Sequence, residues 1–448
     1  MKNTTEIVLP EEAIKKAEAL LNDPKTKALL KTAAKNVAAT KAPATTKSTS
    51  ALTRARAALK TVLKEDHVTP LTESQLKSSM PHIPTGSLVI DFLIGGRLNS
   101  RGVAPCPGVP RGRIVNLYGN AGAGKTTLAL TAAASVCNAG GTCVYIDWEN
   151  EVEPRYAEAI GVPVKDESRF LLMQPNTLEE GMKIMIQMAS EGVDLIVVDS
   201  VGAGVPFDFY HRKLEDEGDQ GRIGLVASKW SQFLPKFKSL IAKSGTAVIG
   251  ISQLRKTIAA GGHGPDSAPQ GGEAWKFYSA VRMMLRVFSK EKVKGFNSLT
   301  GKMEEQVGGT IVIAKLDKCK VSDSVHHEQK FYLKSGTGID NNRSVVDLGI
   351  TYKIIAKSGS WYEWASAPGG SIRSQGVEGL IKLIVERKGA LNTLFAQVIP
   401  KLTKTPAAEV FAEEEVPEDL FEDFVPLNDG EKAAKKAKEE SSESEGEA

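Results

Sequence analysis

Cysteine is scarce in this 448-residue sequence, and long hydrophobic runs are missing from it. The four cysteines, Cys106, Cys137, Cys143 and Cys319, form neither a CxxC pair nor a metal-ligand spacing. This pattern argues against a disulfide framework or a zinc site and favours small buried thiols. No apolar run approaches the ~20 residues that a membrane helix needs, and the N-terminus lacks the apolar region of a signal peptide. We therefore expect a cytoplasmic protein.

The formal net charge of +3 is unevenly distributed along the chain. From Thr405 onward there are 15 Asp and Glu against 4 Lys, whereas the preceding residues hold 53 Lys and Arg against 39 Asp and Glu. A basic body with an acidic tail is typical of a protein that binds a polyanion, although such a tail can also serve solubility alone. Leu420, Phe421 and Phe424 could form a docking motif for a partner protein, and a solvated spacer is an equal alternative.

Composition and periodicity divide the chain into four segments. Residues 1–66 predict a helical, basic arm and linker that could contact DNA or a neighbouring subunit. In residues 67–340, continuous apolar runs such as "RIVNLYG" and "DLIVVDS" alternate with helical stretches. This alternation predicts an α/β fold with a mostly parallel twisted sheet flanked by helices. Residues 341–404 predict a small C-terminal α/β domain, and residues 405–448 predict a disordered acidic tail.

One helical stretch carries a proline. Pro235 interrupts the pattern of "GLVASKWSQFLPKFKSLIAKSG", residues 224–245. Because proline removes a backbone hydrogen bond from a helix, we expect this helix to kink or to begin late.

The segment "GNAGAGKTT" fits the phosphate-loop pattern G-x-x-x-x-G-K-[ST] and lies between a strand and a helix, where a chance glycine turn is a poor alternative. Its glycines let backbone N–H groups turn toward phosphate oxygens, Lys125 can reach the β- and γ-phosphates, and the Thr126 hydroxyl can bind Mg²⁺. The sequence therefore predicts ATP and Mg²⁺ as ligands. The predicted nucleotide-binding residues of this loop are Gly119, Asn120, Ala121, Gly122, Ala123, Gly124, Lys125, Thr126 and Thr127.

Acidic residues end two other apolar strands. Asp199 ends "DLIVVD" and is a candidate for the carboxylate on the metal side, with a helix cap as the alternative. Asp147 and Glu149 follow "CVYI", and a carboxylate there could deprotonate the water that attacks the γ-phosphate. Taken alone, Glu149 could equally be a solvated loop acid. ATP binding is thus predicted more directly than ATP hydrolysis.

Seven segments between about Ile83 and Trp361 together resemble the bacterial RecA recombinase family. They are "PTGSLVID", "YGNAGAGKTTLAL", "TCVYIDWENEVEPRYAEAIGV", "DLIVVDSVGA", "ISQLR", "GGEAWKFYSAVRM" and "VDLGI…SGSWY", in the family's order. The resemblance implies a P-loop ATPase core that assembles into a helical filament on single-stranded DNA. It also implies DNA-stimulated ATP hydrolysis, homologous pairing with double-stranded DNA, and strand exchange.

The resemblance also implies roles for individual residues around ATP. Glu149 would be the catalytic base, Asp199 the metal-side carboxylate with Ser200 beside it, and Gln253 the sensor of the γ-phosphate. Tyr156 would stack on adenine. The remaining implied site is a pair, Lys318 and Lys320, that would reach the ATP of a neighbouring subunit, with a solvated strand end as the alternative.

Two loops would contact DNA according to the same resemblance. The first lies near "KLEDEGDQGRIG", and the second spans residues 255–270, directly after Gln253. Basic groups and backbone amides at these places suit sequence-independent phosphate contacts. The implied DNA-binding residues are Arg222, Arg255, Lys256, His263, Gly271, Gly272 and Lys276, with Arg282 as a further candidate and Phe277 as a candidate for subunit contact.

The sequence also departs from the family pattern. The second loop contains "AAGGHG" where the family carries a bulky apolar cluster, which puts the mode of base separation in doubt. Ser228 replaces a family arginine next to Lys229, and Ser335 replaces a second aromatic residue near adenine. These departures fit a diverged recombinase of the kind that a bacteriophage could encode. They leave two alternatives open, a non-exchanging DNA-binding regulator and a ring-type ATPase motor.

Overall fold

The computed structural model describes residue 52 and residues 79–99, 102–211, 219–256, 267–297, 302–324 and 328–404. At residues 219–223, 256, 267–268 and 294–297 the description covers the backbone alone. The predictions for the N-terminal arm, for the acidic tail and for His263 therefore concern residues outside the described ranges.

Fifteen strands form three sheets in the described part of the chain. Their bounds are β1 His82–Ile83, β2 Val109–Pro110, β3 Ile114–Gly119, β4 Cys143–Asp147, β5 Phe170–Met173, β6 Leu195–Asp199, β7 Ala247–Lys256, β8 Ser267–Pro269, β9 Val281–Asn297, β10 Lys302–Cys319, β11 Glu328–Lys334, β12 Gly338–Ile339, β13 Ala356–Ser358, β14 Trp361–Trp364 and β15 Ile372–Gln375.

Ten helices accompany these strands in the described ranges. Their bounds are α1 Leu88–Gly95, α2 Lys125–Asn138, α3 Pro154–Ile160, α4 Leu178–Ser190, α5 Phe207–Tyr210, α6 Asp219–Ser244, α7 Glu273–Tyr278, α8 Asn341–Thr351, α9 Val377–Glu386 and α10 Ala390–Leu402. None of the helices described is both long and apolar enough to cross a membrane.

The large central sheet has the strand order β12-β11-β10-β9-β3-β7-β6-β4-β5. Strands β9, β3, β7, β6, β4 and β5 run parallel to one another, whereas β10, β11 and β12 are added antiparallel. The predicted α/β architecture with a mostly parallel sheet flanked by helices is confirmed. The long β9–β10 hairpin accounts for the antiparallel side of the sheet. The apolar run "GTIVIAK", residues 309–315, belongs to β10 and is therefore antiparallel to β9.

The central parallel strands are buried on both faces, as their continuous apolar runs predict. Two hydrophobic clusters lie on opposite faces of the sheet, and alternate residues of a strand belong to different clusters. Val197 of β6 packs in one cluster, and its neighbours Ile196 and Val198 pack in the other. Helix α2 lies in the first cluster, and helices α4 and α6 lie in the second. The sheet is thus a rigid layer whose strand ends can position side chains accurately.

The prediction that Pro235 would delay the start of its helix is wrong. Helix α6 continues through Pro235 for 26 residues. Trp230, Leu234 and Phe237 keep a buried face in helical register across the proline, and Pro235 itself is exposed. The carbonyl that loses its helical donor belongs to Ser231, and that residue is exposed as well.

The second predicted DNA loop is shorter at both ends than the sequence suggests. Strand β7 continues past Gln253 to Lys256, and β8 pairs with it antiparallel, with Leu254 opposite Pro269 and Lys256 opposite Ser267. Arg255 and Lys256 therefore lie on a paired stem, because backbone hydrogen bonds continue beyond the point where the apolar pattern stops.

Residues 341–404 contain helix α8, the three-stranded antiparallel sheet β13-β14-β15, and helices α9 and α10. The ring of Phe395 in α10 packs edge-on against Phe92 in α1 at 5.4 Å between centroids. Arg343 of α8 forms ion pairs with Glu291, Asp347 and Glu378. These contacts tie the C-terminal elements to α1 and to strand β9.

Candidate functional site

The carboxyl ends of four adjacent parallel strands meet at one edge of the central sheet. Gly119 at the end of β3 is in register with Gln253 of β7, and Asp147 at the end of β4 is in register with Asp199 of β6. Open α/β sheets bind ligands outside such strand ends. The residues that the sequence analysis selected separately are therefore neighbours in space.

The phosphate loop follows β3 and leads into helix α2. Gly122 and Gly124 have φ values of 71° and 80°, a left-handed conformation that suits glycine. No side chain in the described ranges caps the N-terminus of α2, so its first N–H groups are available to an anion. The Lys125 ammonium donates to the Asn120 carbonyl oxygen at 2.8 Å, and burial lowers the pKa of Lys125 despite the nearby charges of Asp199 and Glu149.

Asp199 lies beside the loop and is only 5% exposed. Its Oδ2 atom accepts hydrogen bonds from the Thr126 hydroxyl at 2.8 Å and from the Tyr145 hydroxyl at 2.7 Å. Burial raises the pKa of Asp199 to about 6, although both hydrogen bonds act in the opposite direction. The group therefore sits in an environment where a positive charge would stabilise its ionised form.

Tyr145 is a site residue that the sequence analysis missed. It is fully buried in β4, and burial followed by the charge of Asp199 raises its pKa well above the ordinary value. A signal was present in "CVYID", because a tyrosine hydroxyl in a buried strand needs a hydrogen-bond partner. The sequence pattern could not say which partner it would be.

Glu149 occupies the turn after β4 and receives three side-chain hydrogen bonds. The Gln253 amide donates to Oε1 and to Oε2, each at 2.9 Å, and the Ser200 hydroxyl donates to Oε1. Asp147 has a different environment, because its carboxylate accepts the backbone N–H groups of Glu149 and Val152, each at 3.1 Å. Asp147 thus holds the turn, whereas Glu149 faces the strand ends.

A cavity of about 280 Å³ opens next to the phosphate loop. Tyr156 forms one part of its lining, and its hydroxyl shares a hydrogen bond with the Thr127 hydroxyl at 2.9 Å. The lining also includes Ser335, whose hydroxyl donates to the Val307 carbonyl oxygen at 2.7 Å. The full lining consists of Gly122, Gly124, Lys125, Thr126, Thr127, Tyr156, Thr310, Leu333, Lys334, Ser335 and Gly336.

Lys318 and Lys320 are not brought to this site within the chain. Lys318 is in register with Arg282 near the start of β9, so both lysines lie toward the amino ends of the parallel strands, opposite Glu149. The Lys318 ammonium donates to the carbonyl oxygens of Lys276 and Phe277 at 2.8 and 2.9 Å, and Lys320 is exposed. Burial, together with Lys320 and other nearby positive charges, lowers the pKa of Lys318.

Four of the predicted DNA residues lie on the β7–β8 stem or directly follow it, namely Arg255, Lys256, Gly271 and Gly272. Arg255 is exposed on the stem, and the Gln270 N–H donates to the Gln253 carbonyl oxygen at 2.9 Å. Gly271 and Gly272 follow with φ values of 91° and 79° and lead into α7. A further predicted residue, Arg222, lies on α6.

The other predicted basic residues have acidic or aromatic neighbours, and Lys276 and Arg282 lie beside Lys318. Lys276 is exposed and forms an ion pair with Glu273 at 3.1 Å. Lys229, next to Ser228, forms an ion pair with Glu179 at 2.9 Å. Arg282 is half-buried with its guanidinium over the Tyr118 ring, 4.2 Å from the centroid, and burial lowers its pKa. In this conformation Arg282 therefore contacts the sheet rather than open solvent.

Comparison with known proteins gives a consistent result over most of the chain. The family model described as the RecA N-terminal domain matches residues 50–340. Protein RecA of Limosilactobacillus reuteri is 36% identical over 320 residues, which cover 70% of this chain and 78% of that protein. Protein RecA of Thermus thermophilus is 35% identical over 329 residues, 72% of this chain and 86% of that protein. Protein RecA of Laribacter hongkongensis is 35% identical over 340 residues, 75% of this chain and 85% of that protein.

Proposed function

This chain belongs to the RecA family, and on that premise we propose that it is a DNA-dependent ATPase that polymerises on single-stranded DNA and catalyses homologous pairing and strand exchange. The contact between Glu149 and Gln253 carries the proposal. It joins a carboxylate beside the phosphate loop to the strand that carries Arg255 and Lys256 and leads into the glycine-containing segment after them. Such a contact gives the nucleotide state a short physical route to DNA affinity.

The residues at the end of β6 fit a magnesium ion. The hydroxyl oxygen of Thr126 and the Oδ2 atom of Asp199 are 2.8 Å apart, next to the phosphate loop. Mg²⁺ prefers oxygen ligands and usually takes only one or two from the protein, with the rest from water and phosphate. Thr126 and Asp199 would hold the ion, which when bound neutralises charge on the phosphate oxygens of ATP.

The phosphate loop and the adjoining cavity account for nucleotide binding. The triphosphate is held by the backbone N–H groups of residues 119–127 and by the Lys125 ammonium, because these groups direct positive charge toward the phosphate oxygens. Tyr156 lines this cavity, which supports a position of its ring beside the base. Ser335 lines the same cavity and supplies no aromatic ring there. The base would therefore stack on Tyr156 without a second aromatic ring from position 335.

Hydrolysis in this proposal depends on Glu149. A water molecule attacks the γ-phosphorus, the carboxylate of Glu149 takes a proton from it, and the bond between the γ-phosphorus and the bridging oxygen of ADP breaks. In the observed conformation the Gln253 amide occupies both carboxylate oxygens. A γ-phosphate oxygen offers that amide another acceptor, and its rotation would free Glu149 to receive the proton from water.

DNA binding is assigned to the segments around residues 213–224 and 255–270. Arg255 and Lys256 on the β7–β8 stem, together with His263 in the sequence between β7 and β8, would contact the DNA backbone, with Arg222 and Lys276 as further candidates. Backbone amides at Gly271 and Gly272 would add phosphate contacts. The hydrogen bond from Gln270 to the carbonyl oxygen of Gln253 supports a direct link between this stem and the sensor residue. Since these contacts read phosphates, binding should be independent of DNA sequence and sensitive to salt.

Filament assembly would complete the catalytic site. Lys318 and Lys320 lie toward the amino ends of the parallel strands, whereas Glu149 lies at their carboxyl ends. They therefore cannot contact the ATP of their own subunit. A head-to-tail assembly brings opposite faces of successive subunits together. We propose that these lysines contact the ATP of the next subunit, which makes ATP a component of the interface.

ATP turnover by Glu149→Gln, with and without single-stranded DNA, tests the proposal. Loss of the base should lower DNA-stimulated turnover by about 10²- to 10⁴-fold while ATP and DNA binding persist. The matched control is Glu151→Gln, an exposed acid two residues away. A strand-exchange assay on the wild-type protein completes the test, because DNA-stimulated turnover without pairing would identify a regulator instead. Turnover that ignores DNA, in hexameric rings, would identify a motor.

A further inference from the structure

Three tryptophans on different functional segments pack against one another. The centroids of Trp148 and Trp230 are 6.2 Å apart at an interplanar angle of 78°, and those of Trp230 and Trp275 are 5.0 Å apart at 75°. Both are edge-to-face contacts, the arrangement that aromatic rings favour. Trp230 is 0% exposed and Trp275 is 1% exposed, so the middle of this tryptophan cluster is entirely internal.

Each tryptophan belongs to a segment with a different role in the proposed function. Trp148 immediately precedes Glu149, and its backbone N–H donates to the Asp199 carbonyl oxygen at 2.8 Å. Trp230 lies on α6, the helix that contains the end of the first predicted DNA loop. Trp275 lies on α7, three residues after Gly272 at the end of the second. The cluster therefore touches the catalytic turn and the supports of both loops.

Trp230 is also bonded to the segment that follows Asp199. Its indole N–H donates to the Val201 carbonyl oxygen at 2.8 Å, and the Val201 N–H donates to the Ile251 carbonyl oxygen at 2.9 Å. Residues 200–204 adjoin the end of the second loop as well. A Cβ atom on Gly202 would lie 2.2 Å from the Gln270 side-chain oxygen, and one on Gly271 would lie 2.5 Å from a Val201 methyl group.

Glycines make room for the outer two rings. A Cβ atom on Gly181 would lie 2.1 Å from the Trp148 ring, and one on Gly250 would lie 2.2 Å from the Trp275 ring. Rings set this closely against backbone cannot shift alone, because close-packed interiors move in discrete steps that involve neighbours. A displacement of α7 must therefore be accommodated by Trp230.

The indole nitrogen of Trp275 bears on how helix α7 can move. Within the described part of the chain, its buried indole N–H has no hydrogen-bond partner. A buried donor without an acceptor costs free energy, so a position of α7 that supplied an acceptor would be favoured. The observed position of Trp275 is thus held by ring packing rather than by its polar group.

We propose that Trp230 is a positioning residue through which DNA engagement of the two loops moves the catalytic turn. When DNA binds, helices α6 and α7 are displaced. Because Trp230 contacts the Trp148 ring and the Val201 carbonyl oxygen, these two groups are displaced with it. Glu149, next to Trp148, then takes its productive position. This route runs through the core on the α6 side of the sheet and is separate from the Glu149–Gln253 contact. The inference rests on the proposed function, since it concerns how DNA stimulates ATP turnover.

The test compares Trp230→Phe with Trp364→Phe, which removes a fully buried tryptophan from the C-terminal sheet. ATP turnover is measured with and without single-stranded DNA, alongside DNA affinity and thermal unfolding. Trp230→Phe should leave DNA-free turnover and DNA affinity within about twofold of wild type. It should lower the DNA stimulation by at least about fivefold, the lower end of typical couplings between sites. Trp364→Phe should leave the stimulation unchanged.

A second variant covers the case in which Trp230→Phe folds poorly. Trp148→Phe alters a half-buried ring and should cause the same loss of stimulation. The double variant should be no worse than either single variant, because two steps of one route are not additive. Full stimulation in a folded Trp230→Phe or Trp148→Phe protein, with only the unfolding temperature lowered, would show that the cluster is core packing alone. Absence of DNA stimulation in the wild-type protein would instead overturn the proposed function, and this inference with it.

Fluorescence gives an independent readout. In a background with Trp361→Phe and Trp364→Phe, the three clustered tryptophans are the only ones left of the five in the chain. Addition of a non-hydrolysable ATP analogue and single-stranded DNA should change their emission, and Trp230→Phe should remove most of that change. Emission that stays constant while DNA is bound would contradict a moving cluster.

Discussion

The Gln253 side-chain amide donates to both carboxylate oxygens of Glu149, each at 2.9 Å, although the two residues are 104 positions apart in the chain. The contact exists because β7 and the turn after β4 end at the same edge of one sheet. It holds a candidate general base and a candidate γ-phosphate sensor in one hydrogen-bonded unit. A change at either residue should therefore alter how DNA affects ATP turnover.

Replacement of Gln253 by Ala should separate nucleotide binding from DNA stimulation. The change removes two hydrogen bonds to a carboxylate and leaves the phosphate loop intact. In the proposed mechanism this amide turns to a γ-phosphate oxygen when ATP is bound. Because a hydrogen bond to a charged group contributes about 1.5–3 kcal/mol, its loss should lower DNA-stimulated turnover by about ten- to hundredfold. ATP turnover with and without single-stranded DNA measures this, with Gln232→Ala, an exposed glutamine on α6, as the control. Unchanged stimulation in Gln253→Ala would contradict a sensor role.

Tyr145→Phe should weaken the binding of Mg²⁺ beside Asp199. The Tyr145 hydroxyl donates to Oδ2 of Asp199 in a fully buried setting, and this hydrogen bond helps to fix the carboxylate next to the Thr126 hydroxyl. We expect a higher Mg²⁺ concentration for half-maximal ATP binding, by about tenfold, the equivalent of one such hydrogen bond. A Mg²⁺ titration of ATP binding measures it, and Tyr210→Phe, with an exposed ring, is the control. Identical titration curves for Tyr145→Phe and wild type would show that the Tyr145 hydroxyl does not contribute to Mg²⁺ binding.

Mixing two inactive variants should restore activity if ATP is shared between subunits. Glu149→Gln lacks the base but keeps its lysines, and Lys320→Ala lacks an exposed lysine but keeps its base. In a head-to-tail assembly of an equal mixture, about a quarter of the interfaces combine the two intact halves, so about a quarter of the wild-type turnover should return. Each variant alone at double concentration is the control. A mixture as inactive as its components would place both functions within one subunit.

Asp91 should make stability depend on pH. Its carboxyl group is fully buried in α1, with Oδ1 accepting the Thr85 N–H at 2.8 Å, and burial raises its pKa to about 7. The folded state therefore keeps a proton that the unfolded state releases near pH 4, and stability is lost as the pH rises between these values. The loss is on the order of 4 kcal/mol, from a shift of about three pH units.

Urea unfolding at pH 5 and pH 8 measures the larger part of this loss, with Asp91→Asn for comparison. The asparagine cannot ionise, so the variant should lose less stability than wild type over the same pH range. Asp208→Asn, at an exposed position, should behave as wild type does. Equal pH dependence in Asp91→Asn and wild type would rule out Asp91 as the cause.

Much of the fold and part of the site could be predicted from the sequence, because those features depend on local structure. Apolar runs identify strands buried on both faces, and the glycine spacing of residues 119–124 identifies a phosphate loop before a helix. Pro235 shows the limit of such reasoning. Its helix continues because the packing of Trp230, Leu234 and Phe237 outweighs the loss of one backbone hydrogen bond.

The sequence by itself determined which residues can do chemistry here: Lys125 and Thr126 in the loop, Asp199 and Glu149 at strand ends, and Gln253 before a basic segment. Only the tertiary structure decided which of them meet. The order β3-β7-β6-β4 brings Gln253 to Glu149 and Tyr145 to Asp199 at the carboxyl ends of the strands. Lys318 lies toward their amino ends. Periodicity along a strand says which face a side chain occupies, but strand order and register arise from contacts between distant segments, so no local pattern contains them.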